Sequence, residues 1–249
     1  MIQRGVLLSL LCVAILAAQT EGSVVGVGPF LHIVSDLDQS LAFYHDKLGL
    51  ELTGPAGEHK FTDNPAVANL YGVPGKQFRA AVLKIPGSEM GIELVQWGEA
   101  RQPKGERMEG PGAVTLILRR SGANKKSLHD PDGFPVEVEQ SQNPGAALRV
   151  GVSDVSKARA LYSRVGLAGG QIPIEFVKAK SRAAHTAFPE PGCGMLRLFV
   201  KNIGALTESL KGAGFAAITT GGEPVVLPQG QHVIIVRDPD SFYLQPMER

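Results

Sequence analysis

Three side chains between residues 32 and 137 have the types to hold a divalent metal: His32, Glu93 and Glu137. His32 interrupts the apolar run Phe30-Leu31-His32-Ile33-Val34, where period-two alternation puts it on the face of Phe30 and Val34. A polar group on an apolar face needs a partner. Glu93 alternates with Val95 and Trp97 in MGIELVQW, 90–97. A carboxylate there is costly unless it is paired or metal-bound. Glu137 shares its face with Glu139, while Val136 and Val138 take the other. One imidazole and two carboxylates form a hard, open ligand set suited to Fe(II), Mn(II), Zn(II) or Ni(II). A substrate with adjacent oxygens could chelate there. The metal would stabilise an enediolate or bind oxygen, and Glu93 or Glu137 would act as the base. The plainer reading makes His32 a hydrogen-bonded core residue, leaves Glu93 in solvent and pairs Glu137 with a Lys or Arg.

The elements that must carry these residues recur along the chain. Residues 35–44 read SDLDQSLAFY and residues 153–162 read SDVSKARALY, and the turns DPDG (130–133) and DPDS (238–241) follow them. The first copy predicts a strand at 29–34, Ser35-Asp36 as a helix start, a helix over 37–47 and an end at Gly49. A short helix is expected at PAVANLYG, then strands at 78–85 and 90–97 around a PGSE turn. The pattern returns as a strand at 147–152 with a helix at 154–163. It returns again as a strand at 195–200 with a helix from Asn202 to about Lys211 and strand-like segments beyond. Between the strand at 113–120 and the DPDG turn lies only SGANKKSLH, 121–129. Nine residues are too few for an average helix plus a strand, so this second unit is expected to be contracted and helix-free.

FLHIVSDLDQSLAFYHDKLGL and HDPDGFPVEVEQ resemble the vicinal oxygen chelate superfamily: glyoxalase I, extradiol dioxygenases, and bleomycin and fosfomycin resistance proteins. The resemblance spans roughly 28–247. It implies an α+β fold of repeated βαβββ units paired into two cupped mixed-sheet domains, near 25–142 and 145–249, joined at Asn143-Pro144-Gly145. It places metal ligands at His32, Thr115, Glu93 and Glu137 in the first domain. Thr115 departs from the family pattern, since a hydroxyl is a poor ligand. In the second domain the matched positions are Val150, Leu198 and Gln245, which would make that domain metal-free. The implied function is metal-assisted lyase, isomerase or ring-cleavage chemistry on a small molecule. The alternative is metal-free ligand binding of the bleomycin-resistance type. Family members also pair units between chains, so a homodimer is an expectation. His129 is an alternative ligand at the contraction. His45 and His59 are expected at the surface, His185 and His232 away from the matched positions, and Tyr44 and Tyr162 as core anchors.

The remaining signals bound the problem. The 249 residues are 43% hydrophobic, with 25 basic and 24 acidic side chains, so neither disorder nor a nucleic-acid partner is indicated. Arg4 followed by the apolar run 5–18 reads as a secretory signal over 1–22, too short for a spanning helix of roughly 20 residues. A secreted or periplasmic protein is expected, touching membrane only through that segment. Without Cys12, Cys193 stands alone and is read as structural. No nucleotide fingerprint or nucleophile motif is present.

Overall fold

The computed structural model describes residues 22–53, 59–98, 110–167, 172–180 and 188–249. Most of the expected leader, including Cys12, and His185 lie outside the described residues. Asp36 turns the chain from strand β1 (Ser23–Ile33) into a helix, its carboxylate accepting from the amides of Asp38 and Gln39. This helix, α1, is regular over Leu37–Leu41 and continues with π-type turns over Ala42–Lys47. Gly49, at φ 66°, supplies its left-handed end. Strand β2 (Glu51–Thr53), the short helix α2 (Pro65–Leu70), β3 (Phe78–Lys84) and β4 (Ile92–Trp97) complete the first unit.

The second unit holds β5 (Val114–Arg120), β6 (Lys126–His129) and β7 (Pro135–Gln140), and no helix lies between β5 and β7. The third has β8 (Gly145–Val152), α3 (Val155–Arg164) capped by Asp154, and β9 (Ile174–Lys178). The fourth has β10 (Gly194–Lys201) and α4 (Ile203–Gly212) capped by Asn202. It continues through the short strands β11 (Ala216–Ala217), β12 (Val225–Val226), β13 (His232–Val233) and β14 (Val236–Arg237) to β15 (Tyr243–Glu248). No helix among the described residues is long and apolar enough to cross a membrane.

The units form two sheets. The larger runs β11-β14-β15-β10-β1-β4-β3-β2, with β12 and β13 beside β15; the smaller runs β6-β7-β5-β8-β9. This is the expected α+β class of paired units. The pairing, however, joins the first unit to the fourth through β1 and β10, and the second to the third through β5 and β8. The halves 25–142 and 145–249 therefore each contribute strands to both sheets. The alternation of an apolar strand fixes its faces but not which of several like strands it meets.

Side chains tie consecutive units across the sheets, and these are the residues of the repeated strings. Tyr44 donates its hydroxyl to Asp130 Oδ2 at 3.1 Å, and the Ser35 amide donates to Asp132 at 3.0 Å. The second half repeats this: Tyr162 donates to Asp238 at 2.9 Å, and the Ser153 amide to Asp240 at 2.9 Å. In each turn the first aspartate also accepts the amide of the following aromatic residue, Phe134 or Phe242, at 2.8 Å. Thus a helix on one sheet grips a turn on the other, twice. The main core fills the space on the helix side with Phe30, Leu37, Tyr44, Leu116, Phe134, Leu148, Tyr162, Leu196 and Phe242 among others. A second cluster of Leu31, Ile33, Tyr71, Val95, Trp97, Met195 and Tyr243 covers the opposite face of the larger sheet.

Candidate functional site

The concave face of the smaller sheet carries a cleft of about 460 Å³, within the range of small-molecule sites. Thr115, Glu137 and Arg149 reach it from β5, β7 and β8, and Val177 and Lys178 from β9; His129 and Lys180 are at its margin. Arg149 Nη1 donates to Glu137 Oε2 at 2.7 Å, and its Nη2 donates to Glu139 at 3.0 Å and lies 3.7 Å from Glu175. Arg119 pairs with Glu175 and lies 3.6 Å from Glu139. Burial alone would lower the Arg149 pKa, but its bonds to Glu137 and Glu139 outweigh this and raise it. The floor of the cleft is therefore a network of ion pairs.

Glu93 lies in the other cup, on β4 opposite Leu31. Arg197 Nη1 lies 3.0 Å from Glu93 Oε2, and Arg197 Nε donates to Gln245 Oε1 at 2.7 Å. Around them the cup is filled by its own aromatic side chains: Trp97 is 5.2 Å from both Tyr71 and Phe78, and Phe188 is 5.5 Å from Tyr71, between ring centroids. Cys193, also in this cluster, has its thiol pushed up to about 12 by burial, which keeps it an inert thiol at neutral pH.

His32 does share a face with Phe30 and Val34, but that face is the interior. Its ring lies 4.4 Å from Phe134 and 6.2 Å from Tyr44, and the side chain is fully buried. Leu31 and Ile33 line the cup instead. The structure therefore does not bring His32, Glu93 and Glu137 together: one is in the core and the others are on separate sheets. Of the other matched positions, Thr115 lines the cleft, Val150 and Leu198 are buried in the core, and Gln245 meets Arg197. His129 borders the cleft, while the side chains of His45 and His232 are about half exposed, at 47% and 48%.

Among the described residues one group has three metal-type donors within 4.8 Å of one another: His32, Asp130 and Asp132. Its chemistry fits a structural clasp. His32 Nε2 lies 2.7 Å from Asp130 Oδ2, and Nδ1 lies 3.2 Å from the Cys193 carbonyl oxygen. Both ring nitrogens thus face acceptors, so the ring donates two protons and keeps no lone pair for a metal. Burial would lower the His32 pKa, but the Asp130 and Asp132 charges and the Cys193 carbonyl outweigh it and raise it. Burial would likewise raise Asp130, but the charge and hydrogen bond of His32 bring it below the usual range. Asp130 and Asp132 already accept from Tyr44, Phe134 and Ser35. The second clasp shows the contrast. Val150 replaces the imidazole there, and burial pushes Asp238 up to about 6.

Sequence reasoning overlooked Arg149, Arg197 and Glu175. The signal was present in ALRVGV and MLRLFV, where an arginine interrupts an apolar strand and demands a carboxylate as surely as Glu93 demands a cation.

Residues 26–138 match the model of the Glyoxalase/Bleomycin resistance protein/Dioxygenase superfamily. No curated protein matches in sequence. Among solved structures, the chain is similar to glyoxalase I from Zea mays, with a TM-score of 0.59 and 14% identity, covering 92% of each chain. It is also similar to the cppA protein from Streptococcus pneumoniae TIGR4, with a TM-score of 0.50 and 11% identity, covering 91% of this chain and 99% of that one. At these identities the likeness is one of fold. The resemblance read from the first helix and the DPDG turn therefore agrees with the family model matched over residues 26–138, and the fold of paired units continues through the rest of the described chain.

Proposed function

We propose that the protein binds a small molecule in the cleft of the smaller sheet and holds it through side chains, without a metal bridge. The observation that carries this reading is the Arg149–Glu137 pair at 2.7 Å on the cleft floor. A guanidinium bonded to Glu137 offsets the negative charge that would attract a cation, while Glu137 and Thr115 offer polar atoms beside the apolar surface of Ala113, Pro135 and Val177. This favours the resistance-type binding reading over metal-assisted lyase or ring-cleavage chemistry. The same reading takes the chain to be exported by its apolar start, so the N-terminal sequence of the secreted protein should begin within 18–24.

The test is a thermal-shift panel of bleomycin, vicinal diols and α-dicarbonyls on the full mature chain, with and without EDTA, using wild type and Val177→Trp. Val177 is 37% exposed at the cleft, so Trp blocks the space without entering the core. Stabilisation that survives EDTA and disappears in Val177→Trp is the expected result. A shift abolished by EDTA, a shift indifferent to Val177→Trp, or no shift with any member would count against the reading.

A further inference from the structure

The two cups are related by the strand registers. On β1 and β4, Leu31 pairs with Glu93; on β8 and β9, Arg149 pairs with Glu175. On β10 and β15, Arg197 pairs with Gln245; on β5 and β7, Ile117 pairs with Glu137. Glu93 thus corresponds to Glu175, and Gln245 to Glu137. The arginines do not correspond to each other: Arg197 stands where the smaller sheet has Ile117, and Arg149 where the larger sheet has Leu31.

Two arginines from different strands nevertheless reach the same place. Arg197 lies 3.0 Å from Glu93 and donates to Gln245 at 2.7 Å. Arg149 bonds Glu137 at 2.7 Å and lies 3.7 Å from Glu175, the corresponding pair. Glu93 and Glu137 are also the positions at which the superfamily resemblance puts metal ligands. The guanidiniums are largely enclosed, with side chains 18% and 25% exposed, and their charge offsets that of the partly buried carboxylates. The first cup even makes room for its arginine: a Cβ at Gly28 would lie 2.9 Å from Cγ of Arg197.

We propose that in each cup a guanidinium has taken the place of the metal ion, Arg197 in the larger sheet and Arg149 in the smaller. Each arginine supplies the central positive charge that holds the cup strands' polar side chains together, and it leaves no position for a cation. The proposal extends the metal-free reading to the first cup and does not depend on any ligand binding the second.

Two measurements on the full mature chain test it. Wild type is incubated with Mn²⁺, Ni²⁺, Zn²⁺ or Fe²⁺, passed through gel filtration and analysed for metal; no stoichiometric uptake is expected. Arg149→Met should lower Tm by several degrees, and adding Glu137→Gln and Glu139→Gln to it should restore most of that loss, because the charges left unbalanced are then gone. Uptake of one ion per chain that Glu137→Gln or Glu93→Gln abolishes would overturn the proposal. So would an Arg149→Met variant that melts with wild type, or a triple variant as unstable as the single one. If Arg149→Met does not fold, a folded triple variant supports the proposal and an unfolded one overturns it. Neither readout involves a small-molecule ligand, so failure here is separate from failure of the binding reading.

Discussion

His32 and its counterpart Val150 make the two clasps a built-in comparison. With the imidazole, Asp130 is held below the usual carboxylate range; without it, Asp238 rises to about 6. Changing His32→Val should therefore make Asp130 behave like Asp238. Removing one partner of a buried pair costs about 3–5 kcal/mol, and urea unfolding at neutral pH should show a loss of that order. The sign of the pH dependence follows. In wild type the raised His32 pKa gives stability that is complete below its unfolded value of 6.5 and is lost as pH rises through the folded value. The lowered Asp130 pKa gives stability present above 3.8 and lost as pH falls through its folded value. In His32→Val, an Asp130 raised toward about 6 would instead gain stability as pH falls below that value, by roughly 1.4 kcal/mol per pH unit at most. The gap between variant and wild type should narrow from pH 6.5 to 4.5; a gap that stays constant would show that His32 does not set the Asp130 charge. At this scale the sequence was legible where one residue contradicts its own strand, as His32 does. It was illegible where the partner is distant. Nothing near the DPDG turn announces Tyr44, 86 residues earlier, and which face of β1 becomes the cup depends on strands that alternation cannot name.

Caps and turn glycines made the elements themselves readable. Asp36, Asp154 and Asn202 all cap helices that begin where the sequence places them. The contraction at 121–129 correctly predicts a unit without a helix. Packing between elements was not readable, and Gly194 is an example. It sits opposite His32 on β10, and a Cβ there would overlap the Phe30 ring and lie 3.1 Å from the Leu31 carbonyl. Gly194→Ala should cost about 1–3 kcal/mol, as overpacking does. Gly49→Ala, at φ 66° with nothing within 4 Å, should cost only about 1–2 kcal/mol through backbone strain. Crowding and conformation can be separated by a second change: Phe30→Leu should offset Gly194→Ala in chemical denaturation and leave Gly49→Ala unaffected.

Across the whole molecule, the sheets and the clasps run in opposite senses. Strand pairing joins first to fourth and second to third units, whereas Tyr44–Asp130 and Tyr162–Asp238 join first to second and third to fourth. A cut at 143–145 leaves β1 and β5 of the first half without β10 and β8. The fragment 22–142 should therefore not exist as a folded monomer; circular dichroism with gel filtration should find it unfolded or self-associated. A fragment that is monomeric and unfolds cooperatively would show that the clasp alone defines a domain.

The crossed pairing also imposes an order on assembly. The strands of the smaller sheet all lie between Val114 and Lys178. In the larger sheet, Ser23 must find Lys201, and the last strand, β15, ends at Glu248. Closing so long a loop is slow, since its entropy is lost before any contact compensates. On a ribosome the smaller sheet can close while the fourth unit is still unmade. Until then β1 waits with one edge open, and the first unit depends on its clasp to the DPDG turn to stay folded against a half-built partner.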